Sequence, residues 1–185
     1  HAIADVQAKK QEIRFSIEDE VVHRQFLGSP AHLRRILLNL ISNALRYNKK
    51  GGKICLAIRE VEYDGSHIGL EFKVQDTGIG MSEEFQKHLF EPFAQEQKGG
   101  ASKFGGTGLG MPITKSLVEK MGGTITFISE QGVGTTFVIT IPFKINEDVA
   151  RDEEKQEEVT ASIRGLNILL VEDNELNMEI AEFVI

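Results

Sequence analysis

Three groups of residues in this chain have the types and spacing to do chemistry. Glycines at 105, 106, 108 and 110 lie between Phe104 and Met111, and the residues from Thr107 onward read as a helix running to Met121. A glycine-dense loop that opens a helix lets backbone approach a ligand and turns unpaired N–H groups toward it. The aligned peptide dipoles add partial positive charge there, so phosphate is the natural guest. Asn39 and Asn43, four residues apart, project from one side of an earlier helix. Their carbonyl oxygens suit Mg²⁺, which keeps waters and substrate phosphates among its ligands. Asp76-Thr77-Gly78-Ile79-Gly80 puts a carboxylate at a strand end. Such a group can accept from an exocyclic amine while the glycines leave room for a flat ring. An unmatched buried partner costs roughly 1–3 kcal/mol, enough to prefer adenine over guanine. Each group also has a plain reading: a mobile loop, two solvated amides, an ordinary Asp-Thr-Gly turn.

The elements that must position these groups follow from periodicity and punctuation. Residues 1–12, with Ile3, Val6 and Lys10 at helical spacing, read as the tail of a helix. Ile13, Phe15 and Ile17 alternate with polar neighbours and predict a half-buried strand. Ser29-Pro30 opens a helix, with Ser as cap and Pro in the first turn. Leu33, Ile36, Leu37, Leu40, Ile41 and Ala44 repeat at three and four, which makes one face core as far as the stop at Asn48-Lys49-Lys50-Gly51-Gly52. Lys53–Glu62 and His67–Gln75 predict a hairpin about Asp64-Gly65-Ser66. A small helix, Ser82–Leu89, leads to Phe90-Glu91-Pro92-Phe93, whose aromatics are expected to pack in the core. Residues 94–106 are polar, glycine-rich and aperiodic, as lid loops are. Strands Thr124–Ser129 and Thr135–Ile141 complete this part, with Pro142 expected to stop the last one.

Beyond residue 143 the character changes. Residues 144–164 are charged, with few large apolar side chains, and predict a solvated linker. Leu166–Val171 is an uninterrupted apolar strand followed by Glu172-Asp173-Asn174, expected to be a fragment of a second domain. The 185 residues carry a formal charge of −7, which argues against a sequence-independent grip on nucleic acid or anionic lipid. Cys55, the single cysteine, excludes an internal disulfide and reads as a small core residue in a reducing compartment. No apolar run reaches the roughly 18 residues needed to span a bilayer, so no membrane contact by this segment and a cytoplasmic location are expected.

Taken in order, Asn39-Leu40-Ile41-Ser42-Asn43-Ala44, Asp76-Thr77-Gly78-Ile79-Gly80, Phe90-Glu91-Pro92-Phe93 and Gly105-Gly106-Thr107-Gly108-Leu109-Gly110 resemble the N, G1, F and G2 boxes of the ATP-binding catalytic domain of sensor histidine kinases. The resemblance covers about residues 10–143, and a domain at 13–143 is expected. It implies the α/β Bergerat sandwich of the GHKL superfamily, a mixed sheet covered on one face by helices, with a mobile ATP lid. It also implies ATP and Mg²⁺ as cofactors. Asn43 then resembles the Mg²⁺-binding asparagine, helped by Asn39. Arg46 stands where a cation meets the phosphates, and Tyr47 at an aromatic position beside the adenine. Asp76 resembles the adenine-reading acid, with Gly78, Ile79 and Gly80 lining the ring. Gly106, Thr107, Gly108, Leu109 and Gly110 would wrap the phosphates, while Lys103 and Gln97 could reach the γ-phosphate. Thr135 resembles a residue that shares a water with the acid. Residues 165–185 resemble the first strand and acidic pair of a receiver domain, so the parent reads as a hybrid kinase. Its partners would be a dimerisation and phosphoacceptor domain and a receiver.

Two departures bear on function. Gly28-Ser29-Pro30 replaces the usual Gly-Asp ahead of the helix, and only a different cap is expected. None of the five histidines is followed by an acid, so the phosphoacceptor motif is expected elsewhere, and the fragment alone is expected not to phosphorylate itself. Two rival readings differ in class. An ATP-hydrolysing switch would need a Glu where Asn39 stands, because an amide is no general base. A nucleotide-free docking module would have no use for the intact glycines, Asn43 and Asp76.

Overall fold

A computed structural model describes residues 12–23, 25–64, 66–96 and 107–145. The expectations for residues 1–11, for the loop carrying Gln97, Lys103 and Gly106, and for the linker and receiver-like tail lie outside the described residues. In chain order the elements are strand β1 (Arg14–Glu20), strand β2 (Phe26–Leu27), helix α1 (Pro30–Arg46), strand β3 (Lys53–Tyr63) and strand β4 (His67–Asp76). Helices α2 (Glu83–His88) and α3 (Gly110–Lys120) and strands β5 (Thr124–Glu130) and β6 (Gly134–Ile145) follow.

One six-stranded sheet runs in the order β1-β3-β4-β6-β2, with β5 also paired to β6. It is mixed: β1 lies parallel to β3, and the other pairings are antiparallel. The helices pack on one face, α1 against β3 and β4 and α3 against α1 and β5. This is the expected α/β architecture. The layer between is dry and aliphatic: Ile36, Leu40, Ile54, Ile68, Val74, Val118, Ile139 and Ile141 are each less than 2% exposed. Their burial is the main drive to the fold, at roughly 1.5–3 kcal/mol for each fully buried side chain.

Local signals build these elements as expected. Ser29 caps α1, its hydroxyl accepting from the His32 N–H, and Pro30 takes the first helical position. Ile36, Leu40 and Ala44 are buried, and Leu33, Leu37 and Ile41 pack beside them. At the far end of α3 the Gly123 N–H bonds the Val118 carbonyl and the Gly122 N–H that of Glu119, with Gly122 at φ +73. That is the left-handed glycine stop.

Four expectations are corrected. The helix after the glycine loop begins at Gly110, not at Thr107. β1 is exposed along its whole length, with Phe15 at 40% and Ile17 at 52%. Phe15 pairs with Ile54 and Ile17 with Leu56, so both sit on the helix side of the sheet, but the helices reach only β3. Pro142 does not stop β6, which continues to Ile145. On that edge β5 stops at Thr140 and β2 begins at Lys144, so the missing N–H falls where no strand needs it. Of the two aromatics around Pro92, Phe90 packs edge-on against Phe127, whereas Phe93 is 71% exposed.

Candidate functional site

The C-terminal half of α1, the end of β4 with the turn after it, and the start of α3 meet around one cavity of about 490 Å³. That is a size for a small organic ligand. Asn39, Asn43, Arg46 and Tyr47 reach it from α1 and its cap, Asp76, Ile79 and Gly80 from the strand end, Thr107, Gly108 and Gly110 from the glycine turn, and Thr135 from β6. Gly78 stands behind the wall, where an added Cβ would press on the Tyr47 carbonyl and on Asp76 Oδ1 at 2.7 Å. Leu109 lines a neighbouring groove between α1 and α3 rather than this cavity.

Asp76 is placed by the sheet. It pairs with Ile54 on one side and Thr135 on the other, and its Oδ1 accepts from the Gly78 N–H at 2.8 Å. Burial pushes its carboxyl above the usual carboxylate range, against the opposing N–H groups of Gly78 and Thr135 and the positive charge of Lys49. Thr135, 8% exposed, shares a 2.9 Å hydrogen bond with the Ser129 hydroxyl, which also accepts from the Met81 N–H at 2.9 Å. Ile79 N–H donates to the Tyr47 carbonyl at 2.9 Å and so binds the turn to the end of α1. Gly80, at φ +62, lies so close to the Glu130 carbonyl that no Cβ fits.

The two asparagines are held by α3. Asn39 Nδ2 donates to Thr114 Oγ1 at 2.7 Å and reaches Met111 Sδ at 3.7 Å, while Asn43 Nδ2 reaches the same sulfur at 3.5 Å. With both nitrogens so engaged, the carbonyl oxygens are the atoms left for a cation. Among the described residues no cluster of three His, Cys, Asp or Glu could hold a metal by itself. Amide oxygens therefore suit a hard cation shared with a ligand's phosphates.

Helix α3 has Leu109 at its N-cap position with no side-chain cap, and Pro112 sits inside its first turn. Its leading N–H groups are thus presented at the cavity, where Gly110 and Met111 lie. The Gly108 carbonyl accepts from the Phe93 N–H at 3.0 Å, and Glu96 Oε1 accepts from the Ser82 N–H at 3.1 Å. Sequence reasoning missed Met81, Phe85, Leu89, Met111 and Phe137 as apolar walls of the cavity. It also missed Lys49, which bonds the Gly132 carbonyl across the site. Only the apolar periodicity pointed to the walls, and nothing in the sequence pointed to Lys49.

Comparisons with known proteins agree with this geometry. Residues 28–145 match the family described as histidine kinase-, DNA gyrase B- and HSP90-like ATPase. The chain is 38% identical over 169 residues to the autoinducer 2 sensor kinase/phosphatase LuxQ of Vibrio harveyi, covering 89% of this chain and 20% of that protein. It is 36% identical over 188 residues to the aerobic respiration control sensor protein ArcB of Escherichia coli, covering 99% of this chain and 23% of that protein. It therefore spans about a fifth of these relatives' length. Among solved structures, full-length ShkA in complex with AMPPNP matches with a TM-score of 0.62 and 28% identity, over 78% of this chain and 29% of that one. The mycobacterial sensor histidine kinase MprB matches with a TM-score of 0.59 over 78% of this chain and 91% of that one, at 24% identity a likeness of fold. The chain belongs to the histidine kinase-, DNA gyrase B- and HSP90-like ATPase family.

Proposed function

We propose that this domain binds Mg-ATP and donates the γ-phosphoryl group to a histidine on a dimerisation domain of the same protein. One observation carries the reading: the Asn39–Asn43 pair, Asp76 and the uncapped start of α3 border a single cavity. Asp76 accepts from the adenine amine, beside Ile79 and Gly80. Tyr47 flanks the ring, and Thr135 supports the acid. The N–H groups of the turn at Thr107, Gly108 and Gly110 take the phosphates, with Arg46 as the neighbouring cation. Lys103, Gly106 and Gln97 belong to the lid stretch of the sequence and are assigned the remaining phosphate contacts by resemblance alone.

Asn43, steadied by Asn39, offers its amide oxygen to Mg²⁺. A Mg²⁺ held by Asn43 with Asn39 would supply neutralisation of the phosphates' negative charge. What the chain does is hold and orient, because phosphoryl transfer needs little covalent help from the protein. Asn39 supplies no general base, which speaks against hydrolysis as the purpose.

For the parent protein the proposed layout is a dimerisation helix ending near residue 12, a catalytic domain at 13–143, a linker at 144–164 and the start of a receiver domain at 165–185, and the family match over residues 28–145 supports its catalytic part. Likeness to the sensor kinase/phosphatase LuxQ and the sensor protein ArcB supports a sensor kinase, and a cytoplasmic side and a receiver as phosphate acceptor downstream are proposed from the motif resemblance. Among the described residues no helix is long and apolar enough to cross a membrane. Two measurements test the reading. The chain should gain thermal stability with Mg-ATP, by about 2.7 kcal/mol at 100 times Kd. Radiolabel from γ-labelled ATP should appear on an added dimerisation domain and not on this chain; label on this chain alone refutes the division of labour.

A further inference from the structure

Lys49 lies three residues beyond the end of α1 and outside the cavity lining, yet its Nζ donates to the carbonyl of Gly132 in the turn between β5 and β6. That turn packs against the backbone of Asp76 and of the residues that follow it. The Gly132 N–H bonds the Ile79 carbonyl at 2.7 Å, and Gly134, at φ +147, presses so closely on the Asp76 carbonyl that a Cβ there would overlap it. On the inner side, Tyr47 holds Ile79 through its own carbonyl. The residues after α1, the turn after Asp76 and the β5–β6 turn therefore form a closed chain of contacts beside the Asp76 backbone, and the Lys49 side chain closes it. The ionisable groups on the surrounding elements include Arg46 at the end of α1, which lines the cavity with Asp76, Tyr47 and Lys49 after it, Lys53 on β3 and Glu130 at the end of β5. The Lys49 charge acts on the Asp76 carboxylate and favours its ionised form.

We infer that Lys49 is a positioning residue for base recognition, clamping the β5–β6 turn over the Asp76 end of the cavity so that this end selects a purine with an amine donor over one with a carbonyl. The inference rests on the nucleotide reading of the cavity and deepens it. A neutral side chain at this position releases the turn, and it also withdraws a positive charge that helps keep Asp76 ionised, so the acid protonates at higher pH. An arginine keeps both the charge and a donor within reach of the carbonyl.

The test is calorimetric titration of the full chain with Mg-ATP and with Mg-GTP, across a range of pH, for wild type, Lys49→Met and Lys49→Arg. Release of the turn leaves about a tenth of the chain in the binding-competent arrangement, which predicts about tenfold weaker ATP binding in Lys49→Met. Its ATP-over-GTP preference should narrow, and the acid limb of ATP binding should move to higher pH. Lys49→Arg should restore all three. Because Lys49 is exposed, the variants should melt with the wild type. An ATP affinity, base preference and acid limb unchanged in Lys49→Met, with wild type binding ATP, overturns the role of Lys49 alone. Equal weakening for both nucleotides with no movement of the acid limb also overturns it. A wild-type chain that binds neither nucleotide overturns the nucleotide reading as well.

Discussion

Asn39 Nδ2 and Thr114 Oγ1 meet at 2.7 Å, and this bond joins the helix bearing the two amides to the helix that follows the glycine turn. Thr114 is 1% exposed, so its hydroxyl has no water to turn to. Asn39 thus works in two directions: its nitrogen fastens α3, and its oxygen is left to help Asn43 at the proposed metal position.

Asn39→Ala should therefore cost stability as well as metal affinity. Removing the donor strands a buried hydroxyl, which predicts a loss of about 2 kcal/mol. Urea unfolding without nucleotide measures it, and an unchanged midpoint would show that α1 and α3 do not depend on this bond.

Asp76→Asn should abolish the thermal shift with Mg-ATP while making the empty domain more stable near neutral pH. The sign follows from burial, which raises the folded-state pKa of Asp76 above its unfolded value. Its contribution to stability is then fully present below the unfolded pKa and lost as pH rises through the folded one. The amide escapes that loss. Melting curves of both chains across the acid range, with and without nucleotide, check both halves.

Glu60 behaves in the opposite sense. Its carboxylate accepts from the Val22 and His23 N–H groups at 2.8 and 2.7 Å and lies 3.2 Å from the His23 ring nitrogen. Desolvation acts to raise its pKa, but the His23 and Val22 contacts outweigh it and hold the group below the usual range. Stability from this pair is present above the unfolded pKa and lost as pH falls through the folded one. Glu60→Gln should cost about 1 kcal/mol at neutral pH, a figure discounted for partial exposure. It should also flatten the acid limb of a stability-against-pH curve, and a parallel curve would refute the assignment.

Gly108→Ala tests the glycine turn ahead of α3. Gly108 has φ +68, and an added Cβ would lie 2.6 Å from the Phe93 carbonyl carbon. Phe93 is itself left-handed at φ +67, so it has little room to yield. A loss of about 2 kcal/mol or more is expected, with weakened nucleotide binding beyond what stability explains. Calorimetry on the folded fraction separates the two effects.

The sequence by itself determined what depends on near neighbours. Ser29 and Pro30 set the start of α1, its apolar stripe chose the buried face, and Gly122-Gly123 ended α3, because caps and helical periodicity act within a few residues. The order of the four boxes located Asn43, Asp76 and the glycine turn, and with them most of the cavity wall. Tertiary structure alone decided which distant groups meet. Asp76 faces Thr135 because of the β4–β6 register, Asn39 finds Thr114 because α1 packs on α3, and Lys49 reaches Gly132 only when the sheet brings that turn beneath it. Phe15 and Pro142 carry the same lesson. Their surroundings follow from where the helix layer stops and where β5 gives way to β2, and pairings between residues far apart in the chain leave no local periodicity to read.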